Sequence, residues 1–212
     1  MSGRRRVLIV VDVQNEYLEG PLAVQYPPFT ESLERIRSAV QTAVQHDVPV
    51  VLVEHENPAG AAAFAADSPG RAVVSRFAAE IDANWPRVVK RYASAFDATD
   101  LASVLAGLKV DTISLVGYMT NNCIIATAAS AAPHGLTAEV LSDAVGAIDL
   151  SNDAGSVPAQ QVHETLMTLL DSNFAAVADT SAWAQAVASD TPLPRSNLVA
   201  SALAGRSRYQ SR

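Results

Sequence analysis

Three residues in this 212-residue sequence have the chemistry and the placement to build a reaction centre: Asp12, Lys90 and Cys123. Each follows a short apolar run. Asp12 comes directly after Val7–Val11, where a carboxylate is costly unless it has a partner or caps a turn. Lys90 closes the run Arg87–Val89. It is one of only two lysines, against thirteen arginines, and the other, Lys109, lies in the Gly107-Leu108-Lys109 turn. Cys123 is the only cysteine. It sits where the run Thr112–Val116 gives way, past Gly117, to the alanine-rich stretch Asn122–Ala132. A thiol in the first turn of a helix meets the positive end of the macrodipole, and a nearby ammonium stabilises the thiolate, so both effects predict a lowered pKa. The unpaired N–H groups of that turn are suited to a developing oxyanion. Together the three supply a base, a cation and a nucleophile, the parts of covalent catalysis. Each also has a structural reading: a turn cap for Asp12, a solvated pair with Arg91 for Lys90, a small buried filler for Cys123. Joint placement at strand ends favours the chemical reading.

The elements that must position them alternate. Strands are expected over Val7–Val11, Pro49–Val53, Arg87–Val89, Thr112–Val116, Thr137–Leu141 and Phe174–Val177, as continuous apolar runs of buried parallel strands. Helices are expected over Glu31–Gln45, with Leu33, Ile36, Val40 and Val44 on one face, over Asp97–Ala106 with Asp97 as N-cap, over the nearly all-apolar Asn122–Ala132, over Pro158–Asp171, and over Ser181–Ala188. This predicts an α/β fold: a three-layer α/β/α sandwich, Rossmann-like, on a six-stranded, mostly parallel sheet. Right-handed crossovers bring the three residues to one edge, the carboxyl edge where such sheets bind ligands. Residues 1–190 form the domain. Residues 191–212 begin with the linker Thr191-Pro192-Leu193-Pro194 and continue as a tail or oligomerisation arm with an apolar patch at Leu198, Val199, Ala202 and Leu203.

Composition narrows the class. With 49% hydrophobic and 17% charged residues the chain is globular. A net charge of −7 argues against nucleic acid as the partner. The basic ends, Arg4-Arg5-Arg6 and Arg206, Arg208 and Arg212, read as solvated. No apolar stretch approaches the roughly 20 residues of a membrane span. A lone cysteine cannot form an internal disulfide, which fits a reducing, cytoplasmic setting.

The ordered set Val11-Asp12-Val13-Gln14-Asn15, His55 to Gly70, Lys90, Gly117-Tyr118-Met119-Thr120-Asn121-Asn122-Cys123 and Ser142-Asp143-Ala144 resembles the isochorismatase-like cysteine hydrolases from about Val7 to Thr180. The stretch Val157-Pro158-Ala159-Gln160-Gln161-Val162-His163 resembles a single-domain amide-hydrolase branch, streptothricin-hydrolase-like. The resemblance implies a catalytic triad of Asp12, Lys90 and Cys123. Asp12 would move the proton, Lys90 would hold the thiolate, and Cys123 would attack a carbonyl to form a thioester. It implies an oxyanion hole from the backbone N–H groups of Met119 and Cys123, and a cis Tyr118–Met119 peptide. It also implies a homodimer or homotetramer. Relatives that deamidate nicotinamide hold a metal on an Asp/His cluster after the second strand. Here that region, Glu54-His55-Glu56-Asn57-Pro58-Ala59-Gly60, has one histidine, read as a loop residue, and His46, His134 and His163 are scattered, so no metal and no cofactor is expected. Retention of Cys123 points to acyl transfer on a small-molecule amide with water as second substrate. A vinyl-ether hydrolase and a thiol-sensing or ligand-binding protein are the competing readings. By position, Gln14, Tyr17, Leu22, Phe64, Tyr92, Phe96 and Tyr118 are the candidate substrate contacts.

Overall fold

The computed structural model describes residues 4–210. In chain order its elements are β1 (Arg6–Val11), α1 (Phe29–Gln45), β2 (Val50–His55), α2 (Ser75–Ala78), β3 (Arg87–Lys90), α3 (Leu101–Leu108), β4 (Thr112–Tyr118), α4 (Ile125–Ala131), β5 (Thr137–Gly146), β6 (Leu150–Asn152), β7 (Gly155–Val157), α5 (Ala159–Leu169), β8 (Ala175–Ala178), α6 (Thr180–Ala188) and α7 (Leu198–Tyr209). The six expected strands form one sheet in the order β3-β2-β1-β4-β5-β8, and every neighbouring pair is parallel. Strand order reverses direction between β1 and β4, the switch point at which such sheets open a crevice.

Alternation along β1 divides the core. Leu8 and Val10 pack with α1 and α6 residues such as Ile36, Val40 and Trp183. Val7, Ile9 and Val11 pack with Leu101 and Leu105 of α3 and Ala128 and Ala131 of α4 on the opposite face. This is the three-layer sandwich. Among the described residues no helix is long and apolar enough to cross a membrane.

Three expectations change. Asp97 is not an N-cap. The chain turns from Ser94 to Asp97, and α3 begins at Leu101, whose N–H reaches Thr99 Oγ1 while the Thr99 hydroxyl donates to Ala95 O. Residues 150–157 form an antiparallel hairpin, β6–β7, outside the main sheet. Arg6 is not solvated like Arg4 and Arg5. It is buried, and its guanidinium donates to both Glu139 oxygens and, at 2.7 Å, to Thr191 O. Glu139 also accepts from Ser114 Oγ, itself the acceptor of Trp183 Nε1–H, so the buried ion pair is fully hydrogen-bonded. In the expected linker Leu193 is buried, and beyond it Leu198–Tyr209 is helical. Arg212 lies outside the described residues.

Candidate active site

Asp12 is placed by the end of β1. Its N–H donates to Val53 O at 2.8 Å, and the chain then turns sharply, with Gln14 N–H returning to Asp12 O. The turn puts Asp12 at φ 51°, a left-handed conformation uncommon for non-glycine residues, though Asp is among those that adopt it. Beside it, Gly117 (φ 106°) ends β4 so close to β1 that a Cβ would lie 2.0 Å from Val11 O. Only glycine lets the two strand ends converge there.

Lys90 is the last residue of β3, whose sides alternate exposed and buried from Arg87 to Lys90. Parallel register sets it opposite His55, the last residue of β2. Cys123 lies in a single π-helical turn, Thr120–Ile124, between β4 and α4, the kind of irregular turn found at functional sites.

These strand ends meet. Lys90 Nζ is 2.8 Å from Asp12 Oδ2, 3.1 Å from Cys123 Sγ, 2.9 Å from His55 Nδ1 and 3.2 Å from Tyr92 O. Asp12, Lys90 and Cys123 are each at most 1% exposed. The Tyr17 hydroxyl reaches to 4.0 Å from the sulfur, and its ring packs edge-on against Phe64 and beside Tyr118.

The isochorismatase domain, as a sequence family, matches residues 6–182. The chain belongs to the isochorismatase family. It is 41% identical to a candidate isochorismatase of Burkholderia xenovorans LB400 known from a crystal structure, with a TM-score of 0.94 over 99% of this chain and 100% of that one. It is 32% identical to the secreted isochorismatase effector Isc1 of Verticillium dahliae, over 80% of this chain and 86% of that protein. A shorter stretch of 57 residues, 27% of each chain, is 47% identical to maleamate amidohydrolase of Pseudomonas putida.

As an isochorismatase-family hydrolase, the chain carries the Asp12–Lys90–Cys123 triad arrangement and a cis Tyr118–Met119 peptide. The electrostatics differ from the sequence expectation. Burial, with Asp12 adding to it, pushes the Cys123 thiol up to about 12 against the opposing pull of Lys90. Loss of hydration and the Asp12 charge together outweigh the pull of Lys90, so the thiol form is favoured at rest. Burial alone would lower Lys90, but the Asp12 charge and, after it, the Cys123 sulfur as hydrogen-bond acceptor hold it above its ordinary value. Burial, then Cys123 and Asp12, raise Tyr17 well above the usual phenol range.

The candidate contacts are placed differently from one another. Tyr17 adjoins the thiol, and Phe64 packs against the Tyr17 and His55 rings. Leu22 is partly buried against the core behind them. The Gln14 amide is fully engaged, donating to His55 O and Arg71 O and accepting from His55 N–H, so it braces the strand ends. The Tyr118 hydroxyl bonds Ser32 Oγ at 2.8 Å, and its ring stacks on Phe29. Phe96 stacks on His134 at 4.3 Å, on the face of α3 and α4. The Tyr92 ring is 59% exposed, and only its backbone carbonyl serves the site. A cleft of about 510 Å³ opens nearby between Asn15, Glu16, Gly20, Ala61, Ser68 and Gly70.

Sequence reasoning passed over His55, which is not a loop residue but the partner of Lys90. The signal was available: it ends a strand as Asp12 and Lys90 do. Among the described residues, Asp12, His55 and Cys123 are the group whose donor atoms, all within 4.8 Å of one another, could hold a metal. The Lys90 ammonium stands within 3.1 Å of all three donors. His163 lies on the other side of the cysteine turn, with Nδ1 3.1 Å from Thr120 Oγ1.

Proposed function

We propose that this chain hydrolyses a C–N amide-type bond of a small neutral molecule through a thioester on Cys123. The observation that carries the reading is the Lys90 ammonium held between Asp12 and Cys123, all three side chains buried. Asp12 removes the thiol proton as the sulfur attacks the carbonyl carbon. The oxygen becomes an oxyanion held by the backbone N–H groups of Met119 and Cys123. Collapse expels the nitrogen, which leaves as an amine or ammonia after taking the proton from Asp12. Water, deprotonated by Asp12, then opens the thioester to the carboxylic acid and restores the thiol. Lys90 balances the negative charge at each stage.

Support for amide chemistry comes from the retained thiol, the nucleophile of acyl transfer, and from the partial likeness to maleamate amidohydrolase. The 157–163 stretch adds its resemblance to the streptothricin-hydrolase branch. Tyr17 and Phe64 contact the substrate in this reading, because the Tyr17 hydroxyl reaches towards the sulfur and Phe64 packs against Tyr17 and His55. The cytoplasm suits a working thiol without a second cysteine. A second copy of the chain completes the assembly. Leu198, Val199 and Leu203 of α7 are 58–68% exposed, and a lone helix of this length is marginal in water. Residues 195–212 carry four arginines and no acidic residue in a chain of net charge −7, so the arm complements the acidic body of a neighbour.

The test is intact-mass spectrometry of the protein mixed with a panel of small amides, carbamoyl compounds and lactams. An acyl adduct on Cys123, absent in Cys123→Ala, is expected, and its mass reports the acyl half. Turnover that survives in Cys123→Ala, or a panel that gives neither adduct nor product, refutes the reading.

A further inference from the structure

We propose that His55 is a positioning residue for Lys90, acting as a neutral imidazole that accepts one ammonium hydrogen at Nδ1 and carries its own proton on Nε2. The inference rests on the cysteine-hydrolase reading and assigns a part of that site beyond the triad.

Hydrogen-bond direction fixes the tautomer. An ammonium only donates, so the 2.9 Å contact from Lys90 Nζ makes His55 Nδ1 the acceptor. The ring proton then belongs on Nε2, which faces Asn57 Oδ1 at 3.2 Å. Asn57 is oriented independently, because its Nδ2 donates to Ala63 O at 3.0 Å and turns Oδ1 towards the imidazole. The His55 backbone is clamped from both sides by the Gln14 amide. Burial, and then the Lys90 charge, lower the His55 pKa against the opposing influence of Asp12 and Asn57, which agrees with a neutral ring.

The consequence lies in how the ammonium's three hydrogens are distributed. They are shared among four acceptors: His55 Nδ1, Tyr92 O, Cys123 Sγ and, nearest at 2.8 Å, Asp12 Oδ2. Asp12 Oδ1 has no hydrogen-bond partner among the described residues. With three neighbours drawing on the ammonium beside Oδ2, Oδ1 stays open for the thiol proton. Without the imidazole, the freed N–H turns onto Asp12 and competes for the acceptor that the reaction needs. The effect falls on the chemical step rather than on substrate binding.

Two measurements decide it. Side-chain ¹⁵N shifts of histidine-labelled enzyme, with the His55 signals assigned by their loss in His55→Asn, read the tautomer in the resting protein without any substrate. An acceptor-type Nδ1 and a protonated Nε2 at neutral pH are expected. The reverse tautomer or a doubly protonated ring overturns the proposal. Failure to find amide turnover would leave this reading standing, so the two failures are distinguishable. On the substrate found by the adduct screen, His55→Leu is expected to lower kcat about 10²-fold with KM nearly unchanged, while His55→Asn, which keeps an acceptor near Nδ1, recovers most of the rate. Equal losses in both variants, or a loss confined to KM, overturn it.

Discussion

Replacing Asp12 by Asn should make Cys123 more acidic while abolishing its usefulness. In the resting site burial and Asp12 push the thiol up to about 12, against an ordinary value of 9.0. The donor atoms of Asp12 and Cys123 lie within 4.8 Å. A unit charge at that distance and an effective dielectric constant of about 20 is worth roughly 3.5 kcal/mol, or about 2.5 pKa units. Removing it should bring the thiol well down from its native value, with Lys90 left as the sole charged neighbour of the sulfur. The assay is the rate of iodoacetamide adduct formation against pH, followed by intact mass. The single cysteine makes the adduct unambiguous. Poor access to the sulfur scales the whole curve without moving its midpoint. The native enzyme should show a rate still climbing at the highest pH it tolerates, whereas Asp12→Asn levels off within the accessible range, at a midpoint clearly below the native one. The variant should nevertheless fail to turn over amide, because it lacks the base. A native midpoint at or below 9.0, or a variant midpoint no lower than the native one, would refute the claim that burial and Asp12 dominate this thiol.

Arg6→Met should cost about 3–5 kcal/mol in urea unfolding, since it strands Glu139 in the core, and Arg6→Met/Glu139→Met should recover part of that loss. Stability should fall as pH rises above 9.0. The unfolded chain releases the Cys123 proton there while the fold retains it to about 12, so the native state binds more protons and alkali favours unfolding; Cys123→Ala should flatten the decline in melting temperature. Removal of residues 195–212 should lower the oligomeric state in light scattering without loss of the melting transition, and an unchanged mass would exclude the arm as an interface.

Much of this architecture was legible because buried parallel strands write themselves as short runs rich in β-branched and other apolar residues. Val7–Val11, Val50–Val53 and Thr112–Val116 could hardly be anything else. Three polar residues ending such runs already suggested one crevice. What stayed hidden depended on partners distant in sequence. Arg6 is indistinguishable from Arg4 and Arg5 until Glu139 is brought beside it, 133 residues later. The Leu150–Val157 hairpin is short and polar, so it carries no apolar period. The start of α3 shifted because Thr99, not Asp97, supplies the local side-chain bonds. The thiol was misjudged because dipole and ammonium are visible in sequence, while the loss of solvent that outweighs them is not.

That loss of solvent explains the composition of the site. A dry pocket tolerates charge only in compensated form. The resting set of one carboxylate, one ammonium, a neutral thiol and a neutral imidazole leaves a single ion pair. Under the proposed mechanism the thiol proton moves to Asp12 while the negative charge passes through sulfur to the substrate oxygen, so one positive and one negative charge persist throughout. A thiolate in the resting site would add a second anion beside Asp12, and a protonated His55 would add a second cation beside Lys90, each uncompensated. Raising the thiol and lowering the imidazole are therefore one requirement: charge develops only as the substrate accepts it, and the Lys90 ammonium is already in place to meet it.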